Sequence, residues 1–184
     1  MFLSKGIWQV GVETEIRIIP IGEVEPGVLE HIYTALKETF NRECRLGEGL
    51  PKPDYAFNPH RGQYSAEEIL KRLRIDGAER VLGVVDLDLY VPHLNFVFGL
   101  ADQSGRRAVI ALLRMHQNFY GLPEDLGRFL QRSVKEALHE LGHTYGLCHC
   151  SDRLCVMAFS NSLADTDYKG QAFCQKCRRK LQEG

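Results

Sequence analysis

The chain has 184 residues, with 23 Lys and Arg against 24 Asp and Glu and a formal net charge of −1. That length suits one domain or two subdomains sharing a cleft, and 44% hydrophobic residues suffice for a sizeable core. Near-neutrality excludes a global pull towards nucleic acid, and no apolar run approaches the roughly 20 residues of a membrane span.

Met1-Phe2-Leu3-Ser4-Lys5 carries only short apolar runs and no cleavable signal pattern, so a cytoplasmic chain is expected. Residues 15–22 read as a strand ending at a turn. Residues 24–41 read as a helix, with Val28, Leu29, Ile32, Leu36 and Phe40 at helical spacing. Residues 44–46 open a second short strand. Residues 47–64, with Pro51, Pro53 and Pro59, read as loop with room for a short paired segment. Ser65-Ala66-Glu67-Glu68 is a capping-box pattern, opening a helix that runs to about Ile75. Three strands follow, over 80–89, 95–101 and 107–115. The first and third are nearly continuous apolar runs, as in strands buried on both faces. The middle one is shorter and reads as an edge strand beside a cleft. Residues 122–145 read as a long helix, with Pro123 near its start where a missing N–H costs nothing. Leu126, Phe129, Leu130, Val134, Ala137, Leu138 and Leu141 form its buried stripe.

The end of that helix carries His139-Glu140-Leu141-Gly142-His143-Thr144-Tyr145-Gly146-Leu147-Cys148-His149. Residues four apart on a helix lie about 40° from each other, so His139 and His143 can point at one metal ion. Glu140 points elsewhere, which suits a base that contacts a metal-bound water rather than the metal. Catalytic zinc sites take three protein ligands and keep a fourth position open. His149 can be the third ligand only if the helix stops, because a continued helix would carry it about 9 Å onward and off the face. Gly146 supplies the stop, since glycine enters the left-handed conformation without a Cβ penalty.

Six cysteines occur, and four fall into two close pairs, Cys150 with Cys155 and Cys174 with Cys177. Such pairs can close a tetrahedral thiolate cage around a second zinc. Two disulfides are the rival reading, and they need an oxidising compartment. Cys44 and Cys148 are left over and read as packing. The basic run from Lys176 to Lys180 reads as a solvated helix end. His31, His60, His93 and His116 read as surface or locally bonded residues.

The sequence resembles the archaemetzincins. The resemblance rests on His139 to His149, on Cys150, Cys155-Val156-Met157 and Cys174-x-x-Cys177, and on Met157-Ala158-Phe159-Ser160-Asn161-Ser162. It implies His139, His143 and His149 as ligands of a catalytic zinc and Glu140 as general base and acid. It implies Cys150, Cys155, Cys174 and Cys177 as ligands of a structural zinc, two zinc ions per chain. It places Met157 in a tight turn beneath the catalytic metal.

Together these features imply an α/β (α+β), metzincin-like fold. A mixed twisted sheet packed with helices lies above a cleft (residues 1–146), and a small, irregular, zinc-stapled subdomain lies below it (residues 147–184). The expected function is zinc-dependent hydrolysis of peptide bonds, with a zinc-bound water activated by Glu140. An extended peptide would add to the edge strand, and residues 158–162 would wall the pocket beyond the cut. Tyr168 and Lys169 could stabilise the oxyanion, though an ordinary surface position is the plainer expectation for each. The expected partner is a peptide or protein substrate, without nucleic acid or membrane, for a monomeric chain. The alternative is a zinc-stabilised peptide-binding protein with a silent or plugged site. A hydrolase of non-peptide amides is a third reading.

Overall fold

The computed structural model describes residues 15–103 and 105–183. The expectation about residues 1–5 lies outside them. β1 (Glu15–Ile21) leads into α1 (Pro26–Phe40), which returns to β2 (Glu43–Leu46), parallel to β1. The proline-rich stretch holds a 3-10 turn and then β3 (Phe57–Asn58), paired antiparallel with β4 (Gln63–Ser65). α2 (Ala66–Arg72) begins where expected, with the Glu68 N–H donating to Ser65 Oγ at 3.4 Å, but it stops three residues early as Leu73 turns extended.

Each of the three downstream strands is shorter than its apolar run. β5 (Arg80–Val85) ends where its partners end, and β6 (Leu89–Tyr90) crosses to pair with β4 in a separate small sheet. β7 (Gly99–Ala101) keeps three residues of the expected seven, and β8 (Arg107–Ala111) gives way to a 3-10 turn at Leu113–Met115. The main sheet runs β2-β1-β5-β8-β7, with β7 antiparallel at one edge. That edge position is the one the sequence assigned to it.

α3 (Leu126–Thr144) starts four residues later than the pattern suggested. Asp125 caps it, accepting from the Arg128 N–H at 3.0 Å, and this leaves Leu126 outside the stripe and exposed. Below the cleft lie α4 (Leu163–Tyr168) and α5 (Gln175–Glu183), the second of which carries the basic run from Lys176 to Lys180. Among the described residues no helix is long and apolar enough to cross a membrane.

The alternation of strand side chains builds two cores. Ile16, Ile18, Leu82, Val84, Ala108 and Ile110 face α1 and α3. Ile21, Val81, Val85, Val109 and Ala111 face α2 on the other side. α3 is therefore fixed against the sheet on one flank. Its other flank is polar and clamps α4, with Arg132 forming a double hydrogen bond to Asp167 at 2.7 Å for each contact. The Arg132 guanidinium also donates to the Met115 carbonyl, and the Lys135 ammonium donates to the carbonyls of Thr166 and Asp167.

Asp167→Ala would strand a buried guanidinium. Asp167 is partly solvated, so the expected loss is about 2–3 kcal/mol, below the range for fully buried pairs. A lowered urea midpoint with an unchanged slope would show it. An unchanged midpoint would mean that the clamp contributes nothing.

Candidate metal centre

His139, Glu140 and His143 are buried on the last two turns of α3. The His139 Nδ1 donates to the Val156 carbonyl at 2.9 Å, and the His143 Nδ1 donates to the Leu147 carbonyl at 2.7 Å. A carbonyl only accepts, so these partners place the proton on Nδ1 of both rings and leave a lone pair on each Nε2. The two Nε2 atoms stand 3.1 Å apart. Two lone pairs so close repel unless a cation lies against both. Tetrahedral ligands at 2.0–2.1 Å from zinc would stand about 3.3 Å apart. The residues present therefore fit a metal ion.

His149 completes the set, and the ligand atoms of the three rings lie within 4.8 Å of one another. Gly146 brings it there. The helix ends on Tyr145, Gly146 takes φ 80°, and the Leu147 N–H turns back to the Gly142 carbonyl at 3.1 Å. The same turn aims the Leu147 carbonyl at His143. Met157 lies fully buried under Gly142, where an added Cβ would stand 2.5 Å from its sulfur. Gly99 on β7 gives Glu140 equal intimacy, since a Cβ there would meet Glu140 Cγ at 2.5 Å. The carboxylate thus lies against the edge strand.

The three imidazoles open into a cavity of about 270 Å³ with β7 on one side and Phe159, Ser160 and Asn161 on the other. A larger hollow of about 570 Å³, between the end of α1 and α5, contains none of these groups. Burial lowers the pKa of His139 to about 4, and lowers those of His143 and His149, so all three rings are neutral near pH 7, the form that could bind a metal ion. Burial, and then the neighbouring Glu136 carboxylate, push Glu140 well above the usual carboxylate range, partly offset by Lys169. A carboxyl tuned upward is a better proton acceptor.

The second cluster is sulfur. The Sγ atoms of Cys150, Cys155, Cys174 and Cys177 lie within 4.8 Å of one another. Cys150 and Cys174 are 3.7 Å apart, against about 2.05 Å for a disulfide and about 3.8 Å for neighbouring thiolates on one zinc. Burial raises the pKa of Cys155 and Cys177, while hydrogen bonding, led by the Cys177 backbone, holds Cys174 down to about 7. Cys44 is buried as expected. Cys148 is exposed and stands outside the cluster, against the packing reading.

Two residues of the cleft were missed or misplaced from sequence. Lys169 is not a surface residue, for it is 2% exposed, with Nζ 3.4 Å from His139 Nδ1 and 3.7 Å from Glu136 Oε2. Tyr168 does lie at the surface, under the Arg153 guanidinium. Glu136 was legible, because it precedes His139 by three residues and Glu140 by four, and so shares their helix face.

This is the apparatus of a zinc metallopeptidase, and comparison with known proteins agrees. The profile described as peptidase family M54 matches residues 52–183. The archaemetzincin of Methanocaldococcus jannaschii is 44% identical over 168 residues, covering 91% of this chain and 93% of its own. The crystal structure of archaemetzincin from Methanopyrus kandleri superimposes with a TM-score of 0.81 at 36% identity, over 96% of this chain and 98% of that one. A zinc-dependent peptidase from Methanocorpusculum labreanum matches with the same TM-score of 0.81 at 28% identity, over 90% and 99%. The chain belongs to peptidase family M54, the archaemetzincins.

In the metal-free chain the His139 ring is expected to titrate near pH 4 by NMR, against about 6.5 for a solvated imidazole. Between those values the unfolded chain takes up a proton that the folded chain refuses. The contribution of this ring to stability therefore falls as pH drops through that window. A midpoint near 6.5 would show a solvated ring.

Proposed function

We propose that this chain hydrolyses peptide bonds in the cleft under β7. His139, His143 and His149 hold one zinc there, and Cys150, Cys155, Cys174 and Cys177 hold a second, structural zinc. The observation that carries the reading is the pair of Nε2 lone pairs 3.1 Å apart, each fixed by a proton committed to a backbone carbonyl on the far side of the ring. When bound at the histidines, zinc supplies Lewis acidity towards the scissile carbonyl and acidifies the attacking water.

The remaining steps belong to the chain. Among the described residues β7 pairs with β8 on one side only, so its outer edge can take an extended peptide as a further strand. Gly99 leaves Glu140 room against that strand, close to a peptide seated on it. Glu140 accepts the proton of the attacking water and delivers one to the leaving amine. Phe159, Ser160 and Asn161 wall the pocket for the side chain after the cut. Burial keeps His139 and His143 from taking up a second proton, and the carbonyls that hold their Nδ1 protons cannot remove them, so both rings stay neutral. The free cysteines suit a reducing compartment, which favours the cytoplasm.

Glu140→Gln removes the base while keeping size and hydrogen bonding. Metal analysis is expected to find two zinc ions per chain in parent and variant alike. Cleavage of a peptide library is expected to fall at least about a hundredfold. Equal turnover in the variant would rule out Glu140 as the base.

A further inference from the structure

The floor of the cleft holds buried polar atoms that the reaction above does not use. The Glu136 Oε2 is buried and makes no hydrogen bond among the described residues; the Lys169 ammonium lies 3.7 Å from it as an ion-pair partner, and the carboxylate adjoins Glu140. The Ser160 Oγ is likewise buried without a hydrogen bond among the described residues. The Lys169 ammonium, almost wholly enclosed, is barely better served. Its contact with His139 Nδ1 at 3.4 Å is not a hydrogen bond, since that nitrogen carries its own proton for the Val156 carbonyl. There remain the Ala158 carbonyl at 3.5 Å, at the limit of a hydrogen bond, and Glu136 at 3.7 Å. All three residues line the cavity that contains the histidines.

Buried polar groups are ordinarily paired, and leaving one unpaired is costly. Three of them around one small cavity beside a metal centre mark a site built for a polar guest. The chemistry of the guest follows from the walls. An apolar side chain would leave Ser160 Oγ unpaired and the Glu136–Lys169 ion pair short of hydrogen bonds. An acidic side chain would satisfy Lys169 but face both Glu136 and Glu140. A basic one would satisfy Glu136 but face Lys169. A neutral group with an acceptor and a donor side by side satisfies both members of the ion pair without breaking its charge balance. A primary carboxamide is that group. Its oxygen accepts from Lys169, its nitrogen donates to Glu136 Oε2, and Ser160 can turn its hydroxyl to either.

We infer that the pocket beside the metal centre selects a carboxamide side chain, glutamine or asparagine, in the residue that follows the cleaved bond. The inference rests on the peptidase function proposed above and names its substrate class. Glu136, Lys169 and Ser160 are specificity residues in this account; none of them exchanges a proton with substrate, although Glu136 and Lys169 also bear on the pKa of Glu140. A site that hydrogen-bonds its substrate discriminates strongly against the isostere lacking the polar group, whereas a purely apolar pocket separates such pairs weakly.

The test uses peptide hydroxamates differing only in the side chain next to the hydroxamate: glutamine, methionine, glutamate or lysine. Binding to the zinc-loaded protein is read by calorimetry, and cleavage is read on four peptides with the same substitutions. Glutamine is expected to bind at least about tenfold more tightly than methionine, with glutamate and lysine weaker than glutamine. Lys169→Met is expected to erase the preference of glutamine over methionine. Should that variant not fold, Ser160→Ala, on the loop, is expected to narrow the preference several-fold. Methionine binding as tightly as glutamine in the parent would overturn the inference, as would an unchanged preference in the folded variants. A glutamine preference in binding without cleavage of any peptide would sustain the pocket and sink the peptidase reading. Cleavage with a methionine preference would do the reverse. No hydroxamate binding at all would overturn both.

Discussion

Two hydrogen bonds organise this molecule: the Nδ1–H of His139 to the Val156 carbonyl and that of His143 to the Leu147 carbonyl. Each fixes the tautomer and the plane of a ring, and between them they turn two lone pairs towards one point. Neither acceptor comes from the helix that carries the histidines. Leu147 is in position because Gly146 ends α3 in a left-handed turn. Val156 is in position because it sits between Cys155, a member of the sulfur cluster, and Met157, packed under Gly142. The Cys150 N–H also donates to the Met157 carbonyl at 2.9 Å, and Cys150 follows His149 directly. The sulfur cluster therefore supports both His139 and His149. In a segment this short, with few apolar residues, such a staple does the positioning that a hydrophobic core does elsewhere.

The upper half supplies a different constraint. Its sheet and helices are fastened by two alternating apolar cores, which leave β7 as an edge and press α3 against it. The approach is closest at Gly99, where a side chain would displace Glu140. One face of α3 belongs to the sheet. A second face, which meets the sheet only at the β7 edge, carries Arg132, Lys135, Glu136, His139, Glu140 and His143, all buried. A helix with so much buried charge persists only because each group has a task or a partner. Arg132 and Lys135 hold α4, His139 and His143 donate to backbone carbonyls, and Glu136 meets Lys169.

Much of this was legible in the sequence, for definite reasons. The histidine spacing, the glycine stop and the cysteine pairs are local patterns whose geometry follows from helix pitch and backbone freedom. So are the Ser65 cap and the apolar periodicity of α1. The strand ends were not legible, because a strand stops where its neighbour stops. β5 ends at Val85 opposite Ile21 and Ala111, although apolar residues continue past it. The start of α3 was misjudged because Pro123 suits a first helical turn, yet Asp125 provides the cap two residues later. Lys169 gave no local sign of burial. Its environment is made by Glu136 and His139, more than thirty and exactly thirty residues away in sequence respectively, and only the folded chain brings them together.

The central claim is that three imidazoles converge on one ion, His139 and His143 through Nε2 and His149 through a ring nitrogen. Anomalous diffraction at the zinc edge, from crystals of the zinc-loaded protein, tests it directly. The account predicts one peak about 2.0–2.1 Å from Nε2 of His139, Nε2 of His143 and a ring nitrogen of His149, and another about 2.3 Å from the four cysteine sulfurs. A peak on the Nδ1 side of either helical histidine, or none among the three rings, would contradict it.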